Sequence, residues 1–364
     1  MSKIGTMSTN QLSLEDFRIA LNQRLERLYS ERQVRAEAID PSYAALITEL
    51  RTLILRGGKR LRPYLTYLSY LGLGGASDEA IIDLVASQEL FHNFLLIHDD
   101  VFDHDVMRYG GLNISGRYRT LLPQAFSLAS RKHLANAMAI MGGDVTIGFG
   151  LSQILEADFP AELKLAALKR IERMIFEVAG GEALDVLIPT FDQAEVTEER
   201  LLRAYRYKTA SYSFEAPMQL GAILAGADDK TVEAISTFAI PLGIAFQLAD
   251  DLLSAYGNES EIGKSVLSDL REGKRTLLMT KGFELADEAS RDVLTKTLGN
   301  PKASYSDLAK VRRILDDCGA HSYVESLAKR EVREALNQLD VIGYSNEVRR
   351  EIVRLAAFTI ERHT

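Results

Sequence analysis

The sequence predicts an all-α protein folded as one large helical bundle. Long windows carry apolar residues at spacings of three and four, strand-like alternation is nearly absent, and two segments are apolar on almost every face. Taken in chain order, residues 1–12 are polar and expected to form a disordered tail. Residues 13–364 are expected to form one domain, because neither a low-complexity linker nor an internal repeat interrupts them. ELKLAALKRIERMIFEVAG, from Glu162, shows the helical period through Leu165, Leu168, Ile171 and Ile175. Pro63, Pro160, Pro189 and Pro301 fall near breaks between periodic segments, and Pro241 is placed near the start of another helix, where proline is tolerated. LVASQELFHNFLLIH and IPLGIAFQLADDLLSAY are the two segments apolar all round, the mark of central helices surrounded by others.

Composition narrows the function. With 43 Lys plus Arg against 51 Asp plus Glu the net charge is −8, which disfavours a nonspecific nucleic-acid binder and makes any basic site a local one. No uninterrupted apolar run approaches the length that spans a bilayer, so no stable membrane insertion is expected. The start, MSKIGTMSTNQ, has no secretory apolar core, and the single cysteine, Cys318, excludes an internal disulfide; a cytoplasmic location is expected.

Both central helices run into acid pairs. LLIHDDVFDHD places Asp99, Asp100, Asp103 and Asp105 directly after an oily segment, and FQLADDLLS places Asp250 and Asp251 after another. Carboxylates at the mouth of an apolar interior need cations, because removing such a charge from water costs several kcal/mol. Asp99 and Asp103, four apart, project from one helix face with Asp100 beside them. Such a set of hard oxygens suits Mg²⁺, which takes few carboxylates and completes its shell with water and phosphate oxygens. Upstream, RGGKRLRP gathers Arg56, Lys59, Arg60 and Arg62 around two glycines just before a helix, an arrangement suited to a diphosphate.

The order GGKRLRP, ELFHNFLLIHDDVFD, KTA, FQLADD and SDLREGKRTL resembles the trans-isoprenyl diphosphate synthases, the polyprenyl synthetase family, over residues 56–280. That resemblance implies a helical bundle around a central apolar cavity and a prenyltransferase that condenses isopentenyl diphosphate with an allylic diphosphate. It makes Asp99, Asp100 and Asp103 the first metal motif and Asp250 and Asp251 the opening of the second, with three Mg²⁺ ions between substrate and protein. Lys59, Arg62 and His92 match positions that grip isopentenyl diphosphate, and Arg108 one that holds the allylic diphosphate. Lys208 and Thr209 match a Lys-Thr pair, Gln247 the glutamine before the second motif, and Lys264 a further diphosphate-binding lysine. Glu182 and Asp185 occupy a region near the metals. A homodimer is implied as well.

Product length is expected to depend on Phe94 and Leu95, five and four positions before Asp99. A helical turn rises about 5.4 Å, close to one isoprene unit, so a bulky ring at that depth is expected to stop growth early. The resemblance to short-chain members with an aromatic five positions before the motif implies a fifteen- or twenty-carbon product, with twenty preferred. Two departures stand out: Arg108-Tyr109-Gly110 where the family has Arg-Arg-Gly, and Ser254 where it has a third aspartate. A noncatalytic regulatory subunit and a terpene synthase-like enzyme are the alternatives. Retention of both acid pairs and the lysines argues against the first, and GGKRLRP would be idle in the second.

Overall fold

The computed structural model describes residues 13–257 and 265–361, with side chains to residue 357. The expected tail and Lys264 lie outside the described residues. The chain forms two compact units, the first ending at Leu168 and the second beginning at Lys169. The division falls inside a continuous helix, so no linker composition marks it.

The first unit contains α1 (Leu14–Glu37), α2 (Pro41–Arg56), α3 (Leu61–Gly72), α4 (Glu79–Phe102), α5 (Ile114–Leu121) and α6 (Leu128–Glu156). Each start is written locally. Ser13, Asp40, Asp78, Asn113 and Ser127 accept hydrogen bonds from the otherwise unpaired first-turn N–H groups of α1, α2, α4, α5 and α6. Helix α4 is buried on nearly all sides, as its sequence predicts, and packs against α1, α3 and α6. It meets α6 antiparallel: a Cβ on Gly150 would stand 2.8 Å from the Phe91 ring, and one on Gly143 would strike the His98 imidazole. Between α4 and α5 lies a small hairpin, β1 (Met107–Arg108) paired with β2 (Gly111–Leu112), which periodicity did not disclose.

Helix α7 (Ala161–Leu187) carries the chain into the second unit. Its helical reading holds, but the buried stripe is Ala167, Ile171, Met174 and Val178, while Leu165 is exposed. There follow α8 (Glu198–Tyr205), a π-helical stretch (Arg206–Glu215), α9 (Ala216–Leu224) and α10 (Asp229–Tyr256). The rest is α11 (Ser268–Glu272), α12 (Leu277–Leu285), α13 (Glu288–Thr297), α14 (Tyr305–Asp317), α15 (Ala320–Ile342) and α16 (Asn346–Glu361). Helix α10 packs on the π-helical stretch and α15. Leu201, Leu248, Leu277, Leu294 and Val324 are among its unit's core, each burial contributing about 1.5–3 kcal/mol relative to exposure. Pro241 is a correction: it lies inside α10 rather than near a helix start. The apolar run on both sides of it carries the helix through the lost N–H.

A second correction concerns apolar length. Helices α4, α6 and α10 are each long and apolar enough to cross a membrane by length and composition. Unbroken apolar runs in the sequence are short, whereas 18-residue windows in these helices stay strongly apolar with up to two charged residues. Most of the α4 window is buried within the protein, against less than half of the other two.

Candidate active site

The anion loop follows α2. Gly58, at φ 111°, takes a conformation open to glycine, and Arg60, at φ 54°, holds a left-handed one with its guanidinium buried. Arg60 is fixed by Glu89, by the Ile54 carbonyl and by Asn22 Oδ1 at 3.1 Å, so it anchors the loop instead of facing a ligand. Arg56 is likewise engaged, donating to the carbonyls of Arg108 (3.3 Å) and Leu112 (2.9 Å) and strapping the hairpin to the loop. Of the four cations in RGGKRLRP, Lys59 is exposed and Arg62 half-buried. Arg62 Nη1 lies 3.2 Å from His92 Nε2. Because a guanidinium can only donate, His92 accepts through Nε2 and carries its proton on Nδ1. Burial, then the charges of Arg62, Arg108 and Arg60, hold the imidazole pKa well below its ordinary value, so His92 is neutral.

At the end of α4 the acids separate by role. Asp99 is half-buried and Asp103, at the C-cap, is exposed; the Asp103 N–H donates to the Asp99 carbonyl at 2.8 Å. Asp100 is 2% exposed and receives Arg108 through Nε at 2.9 Å and through Nη2. Arg108 Nη2 also lies 3.6 Å from Asp99 Oδ2 and 4.0 Å from Asp105 Oδ2. Burial pushes the Asp100 carboxyl up to about 6, the Arg108 charge opposing. Its Oδ2 is buried without a hydrogen-bond partner. The negative end of the α4 dipole adds to this acid excess. A buried carboxylate oxygen with no hydrogen bond among the described residues, beside half-buried Asp99 and exposed Asp103, fits a hard divalent cation. Among the described residues no three such side chains converge into a closed metal cage. Mg²⁺ needs none, since it retains water and takes phosphate oxygens. Phe94 is buried, its ring meeting the edge of His98 at 5.8 Å, and the His98 imidazole reaches the Ile140 carbonyl of α6. Leu95, four before Asp99, shares the acid face.

In the second unit the π-helical stretch positions Lys208 and Thr209. Such widened turns often mark functional positions. Gly181 of α7 lets this backbone pass closely, since a Cβ there would strike the Lys208 backbone nitrogen. Lys208 Nζ donates to Glu182 Oε1 at 3.0 Å and Asp185 Oδ2 at 2.6 Å, which joins both acids of GGEALDV to the lysine. Thr209 Oγ1 donates to Gln247 Oε1 at 2.6 Å, and Gln247 Nε2 to Asp251 Oδ1 at 2.9 Å. Asp251 also accepts from the Tyr205 hydroxyl, which in turn takes the Leu277 N–H at 2.9 Å. Burial pushes the Asp251 carboxyl up to about 7. Asp250 is exposed. Asp185, Lys208, Gln247, Asp250, Asp251 and Lys274 line one cleft of about 550 Å³.

Tyr205, Asp269 and Lys274, further lining residues, were not singled out as site residues in the sequence. Only GKRT offered a signal, for Lys274; the role of Tyr205 depends on its meeting a residue 46 positions away. Ser254, at the place of the missing third aspartate, is buried on the cleft wall.

The polyprenyl synthetase family model matches residues 44–315. A geranylgeranyl diphosphate synthase of Sulfolobus acidocaldarius is 33% identical over 313 residues, 85% of this chain and 88% of that protein. A (2E,6E)-farnesyl diphosphate synthase of Mycobacterium bovis is 31% identical over 308 residues, 84% of this chain and 80% of that protein. Among solved structures, a geranylgeranyl pyrophosphate synthase from Corynebacterium glutamicum, complexed with isoprenyl diphosphate and magnesium, superposes with a TM-score of 0.90 at 27% identity. It covers 96% of this chain and 100% of that one. With fold, motif order and relatives in agreement, this chain is a prenyltransferase and belongs to the polyprenyl synthetase family.

Proposed function

We propose that this protein condenses isopentenyl diphosphate with an allylic diphosphate, head to tail and with Mg²⁺, to give geranylgeranyl diphosphate. The observation that carries the reading is in the first unit, where Arg62 of α3 meets His92 of α4, the same helix that ends in Asp99 and Asp103, so that cations for a diphosphate and acids for its metal belong to one helix pair. The length preference is supported by relatives from several organisms named geranylgeranyl diphosphate synthases.

Magnesium, when bound, neutralises charge on the departing diphosphate oxygens; three ions is the number proposed. Asp99 and Asp103 in the first unit, and Asp250 in the second, each offer a carboxylate for such an ion. Asp100 and Asp251, committed to Arg108 and to Tyr205 with Gln247, orient those ends from behind. Lys208 places a cation for the developing leaving-group charge, and Thr209 fixes Gln247 through its hydroxyl. Arg108 exchanges part of its hold on Asp99 for the allylic diphosphate, and Lys264 adds a further cation. Lys59, Arg62 and neutral His92 hold isopentenyl diphosphate, converting a bimolecular encounter into a positioned one. Leu95 and Phe94 bound the growing tail.

A homodimer is proposed. It is supported by exposed apolar side chains on α6, where Leu134, Met141 and Leu155 recur on one face. A cytoplasmic protein without stable membrane insertion is proposed from its acid-rich composition and the single cysteine, Cys318. The deciding experiment supplies purified protein and Mg²⁺ with labelled isopentenyl diphosphate and five-, ten- or fifteen-carbon acceptors. Chromatography should find elongated allylic diphosphates ending at twenty carbons, and tight acceptor binding without elongation would overturn the proposal.

A further inference from the structure

Tyr109 occupies a position of the hairpin turn where a bulky residue is disfavoured. It stands at φ 53° and Gly110 at φ 72°, two successive left-handed residues between the paired Arg108 and Gly111. Two-residue turns of this kind favour Asn-Gly, whose small side chains bear the left-handed conformation at little cost. A tyrosine persists there only if its surroundings hold it, and strained residues of this sort gather at ligand sites.

What holds it is the anion loop itself. The base of the side chain packs against Gly57, where a Cβ would come within 2.9 Å of the Tyr109 Cγ; only glycine leaves room. The hydroxyl extends to Gly58, 3.6 Å from where a Cβ of that residue would stand, a point that is also 3.1 Å from Arg60 Nη1 and 3.5 Å from Glu89 Oε1. Arg56 fastens the hairpin from the other side through the Arg108 and Leu112 carbonyls. The hydroxyl therefore stands over the backbone of the loop, and among the described residues no hydrogen bond to it is found. Burial, then the charge of Glu89, raise its pKa, so it keeps its proton and can only act as a neutral group there. Arg117, the nearest downstream arginine in sequence, pairs instead with Glu49 at 3.0 Å and does not replace a missing charge.

We propose that the Tyr109 hydroxyl donates a hydrogen bond to the diphosphate of isopentenyl diphosphate, taking the place of a second arginine and giving this loop a charge-poorer, less salt-sensitive grip. This rests on the function proposed above. The physical gain is that a neutral donor adds a contact without adding a like charge beside Arg60, Arg62 and Arg108, whose charges add to burial in lowering the His92 pKa.

Tyr109→Phe keeps the ring on Gly57 and removes only the hydroxyl. Calorimetric titration with isopentenyl diphosphate should show about tenfold weaker binding, as expected for one lost hydrogen bond to a charged group. In steady state, KM for isopentenyl diphosphate should rise by about the same factor and KM for the allylic acceptor by less than twofold, with the thermal midpoint unchanged. Tyr109→Arg should bind isopentenyl diphosphate more tightly than the wild type at low salt and lose that advantage more steeply as salt is added. Affinity of the Phe variant within twofold of wild type, or equal loss for both substrates, would overturn the assignment. So would an Arg variant with the salt dependence of the wild type. A wild-type protein that binds isopentenyl diphosphate yet elongates nothing would instead overturn the proposed function, while the calorimetric comparison would still decide the role of Tyr109.

Discussion

The acid ends of α4 and α10 begin with the same dipeptide and solve the same problem by different means. In each, the first aspartate faces outward and the second is buried: Asp99 over Asp100, Asp250 over Asp251. Asp100 is compensated by a full charge, the Arg108 guanidinium, and Asp251 only by dipoles, the Tyr205 hydroxyl and the Gln247 amide. Burial raises both carboxyls above the ordinary range, and the partners oppose it differently, a guanidinium charge at Asp100 and a phenol with an amide at Asp251. The shared sequence sign is therefore not a shared local chemistry. One acid end carries its own counter-charge, and the other retains a proton near neutral pH.

The sharpest way to break this comparison is to remove the outward acids. Asp99→Ala and Asp250→Ala should each lower turnover by at least about two to three orders of magnitude, since each removes transition-state charge stabilisation, while circular dichroism stays helical. A fall confined to one of them would mean that the two ends do not act in one reaction. Next come the partners of the inward acids. Arg108→Leu strands Asp100 and should cost about 3 kcal/mol in urea unfolding, whereas Tyr205→Phe removes a neutral bond and should cost about 1–2 kcal/mol. Equal costs would erase the distinction.

A smaller effect lies in pH. Both inward carboxyls titrate above the ordinary value of 3.8 when folded, so the folded protein binds more protons than the unfolded chain across the interval between. Their contribution is complete below about pH 4 and is lost as pH rises through about 6 and then about 7. Metal-free protein should thus lose stability from these groups between about pH 4 and 7, on the order of a few kcal/mol, and level off above that. Asp100→Asn should lessen the slope only below about pH 6, whereas Asp251→Asn should lessen it there and abolish what remains between about pH 6 and 7, as read by denaturant midpoints at fixed ionic strength. The smallest expected change is in product identity. Leu95→Ala, on the acid face, and Phe94→Ala, beside His98, should each lengthen the product by about one isoprene unit, a distance near one helical turn. An unchanged chromatogram for Phe94→Ala, with a shift for Leu95→Ala, would assign the limit to the acid face alone.

The helical class, the central place of α4 and the two acid ends were legible in the sequence, because a 3.6-residue period and i, i+4 neighbours are properties of a single helix. So were Lys208 with Thr209 and the loop before α3, whose order along the chain is the family's. What lay beyond reach depends on segments distant along the chain. The sequence offered four interchangeable cations in RGGKRLRP; only Glu89 and the hairpin carbonyls sort Arg60 and Arg56 into anchors. It offered two identical acid pairs; only Arg108 in one case and Tyr205 in the other decide what each buried member is. The period of α7 did not say which of its sides is covered, and Pro241 was set too near a helix end, for the same reason: which side of a helix is covered, and whether it continues past a proline, is settled by what packs against it. Local sequence determines where helices form and which charges they carry, since those energies arise between near neighbours. Which of those charges meet a partner is decided by burial, since removal from water makes a single contact from a remote segment outweigh local preference.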